Sequence, residues 1–239
     1  MKKHFPNTLT CCNLISGCIA TYWAFQSDYQ LALLFVVIGA IFDFFDGFAA
    51  RLLHVSSPIG KELDSLADDV TFGFAPSAVV YSMISSLSNE TPLFGQPLLG
   101  QMLPYAAFIM AAFSALRLAK FNLDERQTTT FIGLPTPANA LFWTSLAASF
   151  QFNPELMPNE AYAVLLIVGV LVASWLLIAE IPMFALKFKS YGWQGNELRY
   201  GFIAASILLL AVLGLKGFAA VIVLYVLTSI ANNLYRDYK

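Results

Sequence analysis

The chain has 239 residues, of which 58% are hydrophobic and 12% charged, with a formal net charge of −2. Soluble domains average about 25% charged residues, so this composition excludes an ordinary soluble protein. The near-neutral balance also argues against nucleic acid as a partner, which would require a basic stripe.

In chain order, the first question is the N-terminus. Met1-Lys2-Lys3 ahead of apolar residues resembles a secretion signal, and Ile15-Ser16-Gly17-Cys18 a lipoprotein cleavage box. The stretch "HFPNTLTCCN" interrupts the apolar core that a signal needs with Pro6, Asn7, Thr8, Thr10 and Asn13, so the segment is read as part of the mature protein. Cys11, Cys12 and Cys18 suggest no disulfide framework and read as small apolar packing residues. With His4 and His54 as the only histidines, a zinc or haem site is not expected.

Apolar runs then predict spans at roughly 12–27, 30–53, 65–87, 102–121, 133–152, 161–181, 200–214 and 217–235. The seventh is short for a crossing. The expected fold is all-α, a polytopic transmembrane bundle of about eight spans with both termini on one side. No polar stretch of domain size intervenes, so residues 1–239 read as a single integral-membrane domain.

The positive charges give this arrangement a direction. Lys2, Lys3, Arg51, Lys61, Arg117, Lys120, Arg126, Lys187, Lys189, Arg199, Arg236 and Lys239 all fall on one side of the expected topology, and only Lys216 on the other. The positive-inside rule makes the crowded side cytoplasmic.

The segment Phe42–Asp69 stands out. It carries Asp43, Asp46, Glu62, Asp64, Asp68 and Asp69, six of the chain's fifteen acidic residues. It runs from the end of span two through "HVSSPIG", where Pro58 and Gly60 are expected to break the helix, into span three. Asp43 and Asp46 are three apart and Asp64 and Asp68 four apart, so each pair shares a helix face. Four such anions in low dielectric repel one another unless cations hold them. All-oxygen ligands point to Mg2+, with Mn2+ as its substitute. Glu62 and Asp124-Glu125 read instead as solvated interfacial acids. Gly47 and Ala50 lie on the Asp43–Asp46 face, where missing side chains admit a close approach, although helix packing accounts for small residues there nearly as well. Arg51 follows, suited to a phosphate.

These residues form a pattern: Asp43-x-x-Asp46-Gly47-x-x-Ala50-Arg51, eight residues, then Gly60-x-x-x-Asp64-x-x-x-Asp68. In this pattern the chain resembles the CDP-alcohol phosphotransferases at every fixed position. "FPNTLTCCN" is similar to that family's N-terminal cytidine-nucleotide segment. "GKELDSLADDVTFGFAP", "RLAKFN" at 117–122 and "GLPTP" at 133–137 resemble its phosphatidylserine synthase branch, with Lys120 where the branch often has arginine. The likeness covers roughly residues 5–140.

The resemblance implies two metal ions. Asp43, Asp46 and Asp64 would hold one, and Asp43, Asp64 and Asp68 the other, with Asp68 also the general base. It implies contacts from Asn7, Thr8, Thr10, Gly47, Arg51 and Ser57, with Ala50 on the same face, to CDP-diacylglycerol. It also implies transfer of the phosphatidyl group to L-serine with release of CMP, in a bilayer whose lipids surround the chain, and homodimerisation. No cysteine or histidine is placed for a covalent intermediate, so direct displacement is the simpler expectation. A zwitterionic acceptor needs a cation and an anion of its own. Arg117 is expected to meet its carboxylate and Asp69 its ammonium group, with Thr71 and Asn122 nearby; otherwise Asp69 and Arg117 are structural partners. Lys61, Arg117, Lys120 and Arg126 also leave room for a phosphorylated acceptor such as glycerol phosphate or inositol phosphate. A cation-transport site is the remaining reading of intramembrane carboxylates, but it expects acids along a path across the bilayer.

Overall fold

The computed structural model describes residues 4–55, 57–88, 93–124, 131–150, 155–184, 192–194, 196–214 and 216–237. The polar N-terminal stretch does not prevent helix formation. Helix α1 runs His4–Phe25, several residues earlier than the apolar run suggests. Pro6 falls in its first turn, where a missing N–H costs nothing. Thr8 donates to the His4 carbonyl and Ser16 to Cys12, so these hydroxyls are satisfied within their own helix, while the Thr10 hydroxyl, 3.1 Å from the Pro6 carbonyl, is shared with a second acceptor.

Asp28 caps α2 (Tyr29–Leu52) by accepting from the Leu31 amide at 3.0 Å. The break that follows includes residues 53–55 and 57, with His54 at φ +50°. Ser57 caps α3 (Pro58–Asp68), and Pro58 opens it. Gly60 therefore lies in the first turn of α3 rather than in the break. A π-helical segment, Asp69–Phe74, joins α3 to α4 (Ala75–Ser88) without interrupting the rod. Short α5 (Pro97–Met102) leads into α6 (Phe108–Leu123), then come α7 (Thr136–Ser149) and α8 (Asn159–Ile178), and α9 (Glu197–Leu213) and α10 (Lys216–Asp237) end the bundle.

Strands β1 (Phe131–Ile132) and β2 (Pro182–Met183), which periodicity did not suggest, pair antiparallel and tie the connections after α6 and α8 together. The Tyr225 hydroxyl on α10 donates to the Phe184 carbonyl beside them.

Among the described residues, five helical runs are long and apolar enough to cross a membrane: Tyr29–Leu52, Pro58–Leu87, Pro97–Leu123, Asn159–Ile178 and Gly217–Leu234. The other three expected spans fall on α1, α7 and α9; α1 is more polar, and α7 and α9 have 14 and 17 residues. Large apolar side chains face outward along the rods, among them Phe44, Phe45 and Phe48 on α2 and Leu165, Val168 and Trp175 on α8. An apolar belt of this extent is a lipid-facing surface. The chain is a polytopic helical membrane protein.

The contact that positions the site is made by α1, α2 and the π segment. Thr71 is fully buried and packs against Gly17 on α1 and Gly39 on α2. A Cβ on Gly17 would run into the Thr71 side chain and come within 2.7 Å of its Cα; one on Gly39 would lie 2.6 Å from Thr71 Cγ2. Phe72 next to it fills a small core with Ala20, Val36, Ala75 and Ala140. Gly17→Ala overpacks this junction and is expected to cost about 1–3 kcal/mol. In detergent its unfolding midpoint, followed by tryptophan fluorescence, should drop by several degrees. An unchanged midpoint would mean that this junction does not lock α1 in place.

Candidate active site

The α2–α3 hairpin brings the spaced aspartates together. Asp43, Asp64 and Asp68 each offer a carboxylate oxygen, and these oxygens all lie within 4.8 Å of one another. Asp46 is the most buried of the four, at 6% exposure, and it accepts a 2.6 Å hydrogen bond from the Thr10 hydroxyl. Asp68 accepts from Asn13 Nδ2 at 3.0 Å. Both of these donors are neutral side chains of α1. Three convergent carboxylates with no thiol or imidazole among them suit a hard divalent cation, and the group could hold a metal ion.

Beside the cluster lies a polar cleft of about 260 Å³, lined by residues of α1, α2 and α3. Five of the residues expected to meet a nucleotide line it: Asn7, Thr10, Gly47, Ala50 and Ser57. Asp46 and Asp64 border it too, so cleft and cluster share a wall. Gly60 packs closely there: a Cβ would sit 3.0 Å from Ser57 Oγ and 3.1 Å from Asn7 Oδ1. Thr8 and Arg51 do not line the cleft. The Thr8 side chain is exposed and bonded to His4, and Arg51 is exposed on the rim. A larger cavity of about 420 Å³ among α7, α8 and α10 is almost wholly apolar and contains no carboxylate, so its size does not make it the site.

The four residues expected around an acceptor divide into two pairs. Thr71 donates its hydroxyl to the Asn13 carbonyl at 3.0 Å, deep in the helix junction, and is turned away from any ligand. Asn122 donates to Ser65 Oγ at 2.8 Å, and its carbonyl accepts from Lys61 Nζ at 3.0 Å, fastening α6 to α3. Both serve packing, a role local spacing cannot reveal. Asp69 and Arg117 differ: Asp69 Oδ1 and Arg117 Nε are buried with no hydrogen-bond partner. Arg117 is 7% exposed, lies 5.9 Å from the Phe121 ring centroid and faces the charge of Asp68.

Sequence reasoning missed two members. Asn13 holds Asp68, and its only signal was its spacing of three from Thr10 on a helix whose apolar residues dominated the reading. Lys61, which the sequence offers only toward a phosphorylated acceptor, lines the cleft.

The model of the CDP-alcohol phosphatidyltransferase family matches residues 3–189. The chain belongs to that family. Among individual proteins, it is 35% identical over 195 residues to the CDP-diacylglycerol–serine O-phosphatidyltransferase of Bacillus subtilis (strain 168), covering 82% of this chain and 97% of that one. The protein of the same name from Methanocaldococcus jannaschii is 30% identical over 216 residues, 90% of this chain and 87% of that one. The one from Helicobacter pylori (strain J99) is 37% identical over 139 residues, and there the match spans 57% of this chain and 54% of the relative.

Proposed function

We propose that this chain transfers the phosphatidyl group of CDP-diacylglycerol to the hydroxyl of L-serine, forming phosphatidylserine and CMP. One observation carries the reading: Asp43, Asp64 and Asp68 converge beside a polar cleft in a chain of this family. Serine as acceptor is supported by the names of relatives aligned over most of the chain. On this reading the chain is one domain of about eight spans, a homodimer in the cell (inner) membrane among its lipids. The one-sided distribution of lysine and arginine supports a cytoplasmic site and cytoplasmic termini.

Asp43, Asp46 and Asp64 would hold one divalent ion and Asp43, Asp64 and Asp68 a second, Mg2+ or Mn2+. Bound there, the ions supply charge neutralisation for the pyrophosphate and for the departing CMP. The chain's own groups do the rest. Gly47 and Ala50 keep the α2 surface low, so the nucleotide approaches the helix closely. Asn7, Thr10 and Ser57 offer polar atoms to it, while Lys61 inside the cleft and Arg51 on its rim face phosphate oxygens. Thr8 contributes at most from outside the cleft.

Asp68, held by Asn13, takes the proton from the serine hydroxyl. The serine oxygen forms its bond to the lipid-side phosphorus as the bond to CMP breaks. Arg117 pairs with the serine carboxylate and Asp69 with its ammonium group. Thr71 and Asn122 hold the helices that carry them. The carboxylates sit at one end of α2 and in α3, not along a path through the bundle, which disfavours ion transport.

Purified protein in detergent, given CDP-diacylglycerol and Mg2+, should release CMP with serine and only slowly with glycerol phosphate or inositol phosphate. Faster release with either phosphorylated acceptor would replace serine, and no release with any would overturn the transferase reading. Asp68→Asn keeps the shape and removes the base. It should lower turnover by about a hundredfold or more and weaken CDP-diacylglycerol binding far less. Near-normal turnover would exclude Asp68 as base.

A further inference from the structure

We propose that the apolar cavity among α7, α8 and α10 holds one acyl chain of a bilayer glycerophospholipid, with the ester carbonyl of that chain at Asn139 and Trp143. This second lipid site is separate from the polar cleft and does not depend on the transferase reading.

The cavity, about 420 Å³, follows one face of α7. Asn139, Trp143, Leu146 and Phe150 line it, and their three- and four-residue steps make a single stripe on that helix. Ala140 lies off the stripe and packs into the small core with Phe72 of the π segment and Val36 of α2. Helix α7 thus stands between the cavity and the elements that carry the aspartates.

The side walls are α8 and α10, and they do not close on each other. Helix α8 packs mainly on α6 and α4, and α10 on α7 and α9. Leu165 and Val172 on α8 and Val223 and Leu227 on α10 line the cavity and are also exposed on the outer surface. The cavity therefore opens sideways through the apolar belt, and hydrocarbon is what meets such an opening in a bilayer. From Asn139 to Phe150 the stripe rises about 17 Å at 1.5 Å per residue. One leaflet contributes about 15 Å of the hydrocarbon core, so the length suits a single lipid tail. No Asp, Glu, Lys or Arg lines the cavity, so a charged headgroup stays outside it.

Polar atoms mark where the tail begins. Asn139 is fully buried about one turn inside the start of α7, and neither its Oδ1 nor its Nδ2 has a hydrogen-bond partner. Trp143 is 3% exposed, and its Nε1 is unpartnered as well. Its ring is held against Gly169 on α8, where a Cβ would sit 2.7 Å from Cη2. Buried donors without acceptors forfeit their hydration and return nothing, so native proteins keep few of them. An alkane would leave both donors unpaired. An ester carbonyl has two lone pairs and can accept from Asn139 Nδ2 and Trp143 Nε1 together. The membrane face from which α7 enters is also where a lipid carries its esters, with the tail running inward toward Phe150.

Fluorescence of the full chain tests this, with Trp23, Trp175 and Trp193 replaced by Phe so that Trp143 is the only tryptophan. The protein is placed in vesicles of phosphatidylcholine, either plain or dibrominated at mid-chain. Bromine should quench Trp143 despite its burial. Ala173→Phe fills the cavity from α8, and Val223→Phe blocks its mouth from α10; each should restore the emission. Equal emission in the two lipids, or quenching that survives both substitutions, would overturn the site. In detergent, Asn139→Leu should raise the dibrominated phosphatidylcholine needed for half-quenching by about fivefold, the scale of one lost hydrogen bond. An unchanged midpoint would remove the ester from Asn139. If CDP-diacylglycerol displaces the brominated lipid at the concentrations that support CMP release, the cavity holds the substrate's own tail, and its separation from the cleft fails.

Discussion

Four carboxylates held in a hydrocarbon-facing bundle repel one another, and the surrounding medium screens that repulsion poorly. Asp43, Asp46, Asp64 and Asp68 meet this difficulty at the α2–α3 hairpin. The hydrogen bonds they receive from Thr10 and Asn13 are neutral and leave their charge uncompensated. Nothing in the packing of α2 or α3 requires acids at these positions. Three of these carboxylates, Asp43, Asp64 and Asp68, converge closely enough to hold a metal ion. The bundle around the cluster serves to hold it open and in register.

Helix α1 bears most of that task. It lies against α2, α3 and the π segment together, and its closest approach is at the glycine junction around Thr71. From the same helix come Asn7 and Thr10 in the cleft, Thr10 on Asp46 and Asn13 on Asp68. A shift of α1 would therefore disturb the cleft wall, Asp46 and Asp68 at once. Two other fastenings work at longer range. Lys61 and Asn122 tie α3 to α6, and the β1–β2 pair with Tyr225 ties the later connections to α10. The π segment also lies against α6, which carries Arg117.

Local features were legible in the sequence. The i, i+3 and i, i+4 spacing of the aspartates, the small residues between them and the turn before Pro58 depend on nearest neighbours along the chain; the structure brings Asp43, Asp64 and Asp68 together, while Asp46 lies outside that group, bonded to Thr10 and bordering the cleft. The bundle was legible as well, since apolar runs report burial in lipid directly. Features created by contact between distant segments were not legible. Thr71 and Asn122 were read as ligand residues because they stand near the motif, yet packing turns both toward neighbouring helices. Asn13 enters the sequence reading only as an interruption of the N-terminal apolar run, and only the tertiary arrangement brings it to Asp68. The π segment itself leaves no periodic trace, because one inserted residue cannot be distinguished from noise over six positions.

The central claim is that the carboxylate cluster exists to hold divalent ions shared between α2 and α3. Binding of Mn2+ to the purified protein, counted by electron paramagnetic resonance without any substrate, tests it apart from catalysis. The account predicts two ions per chain in the wild type, at most one in Asp46→Ala, and none held tightly in Asp43→Ala or Asp64→Ala. A folded wild-type protein that binds no Mn2+, or an Asp43→Ala variant that still binds two ions, would contradict it.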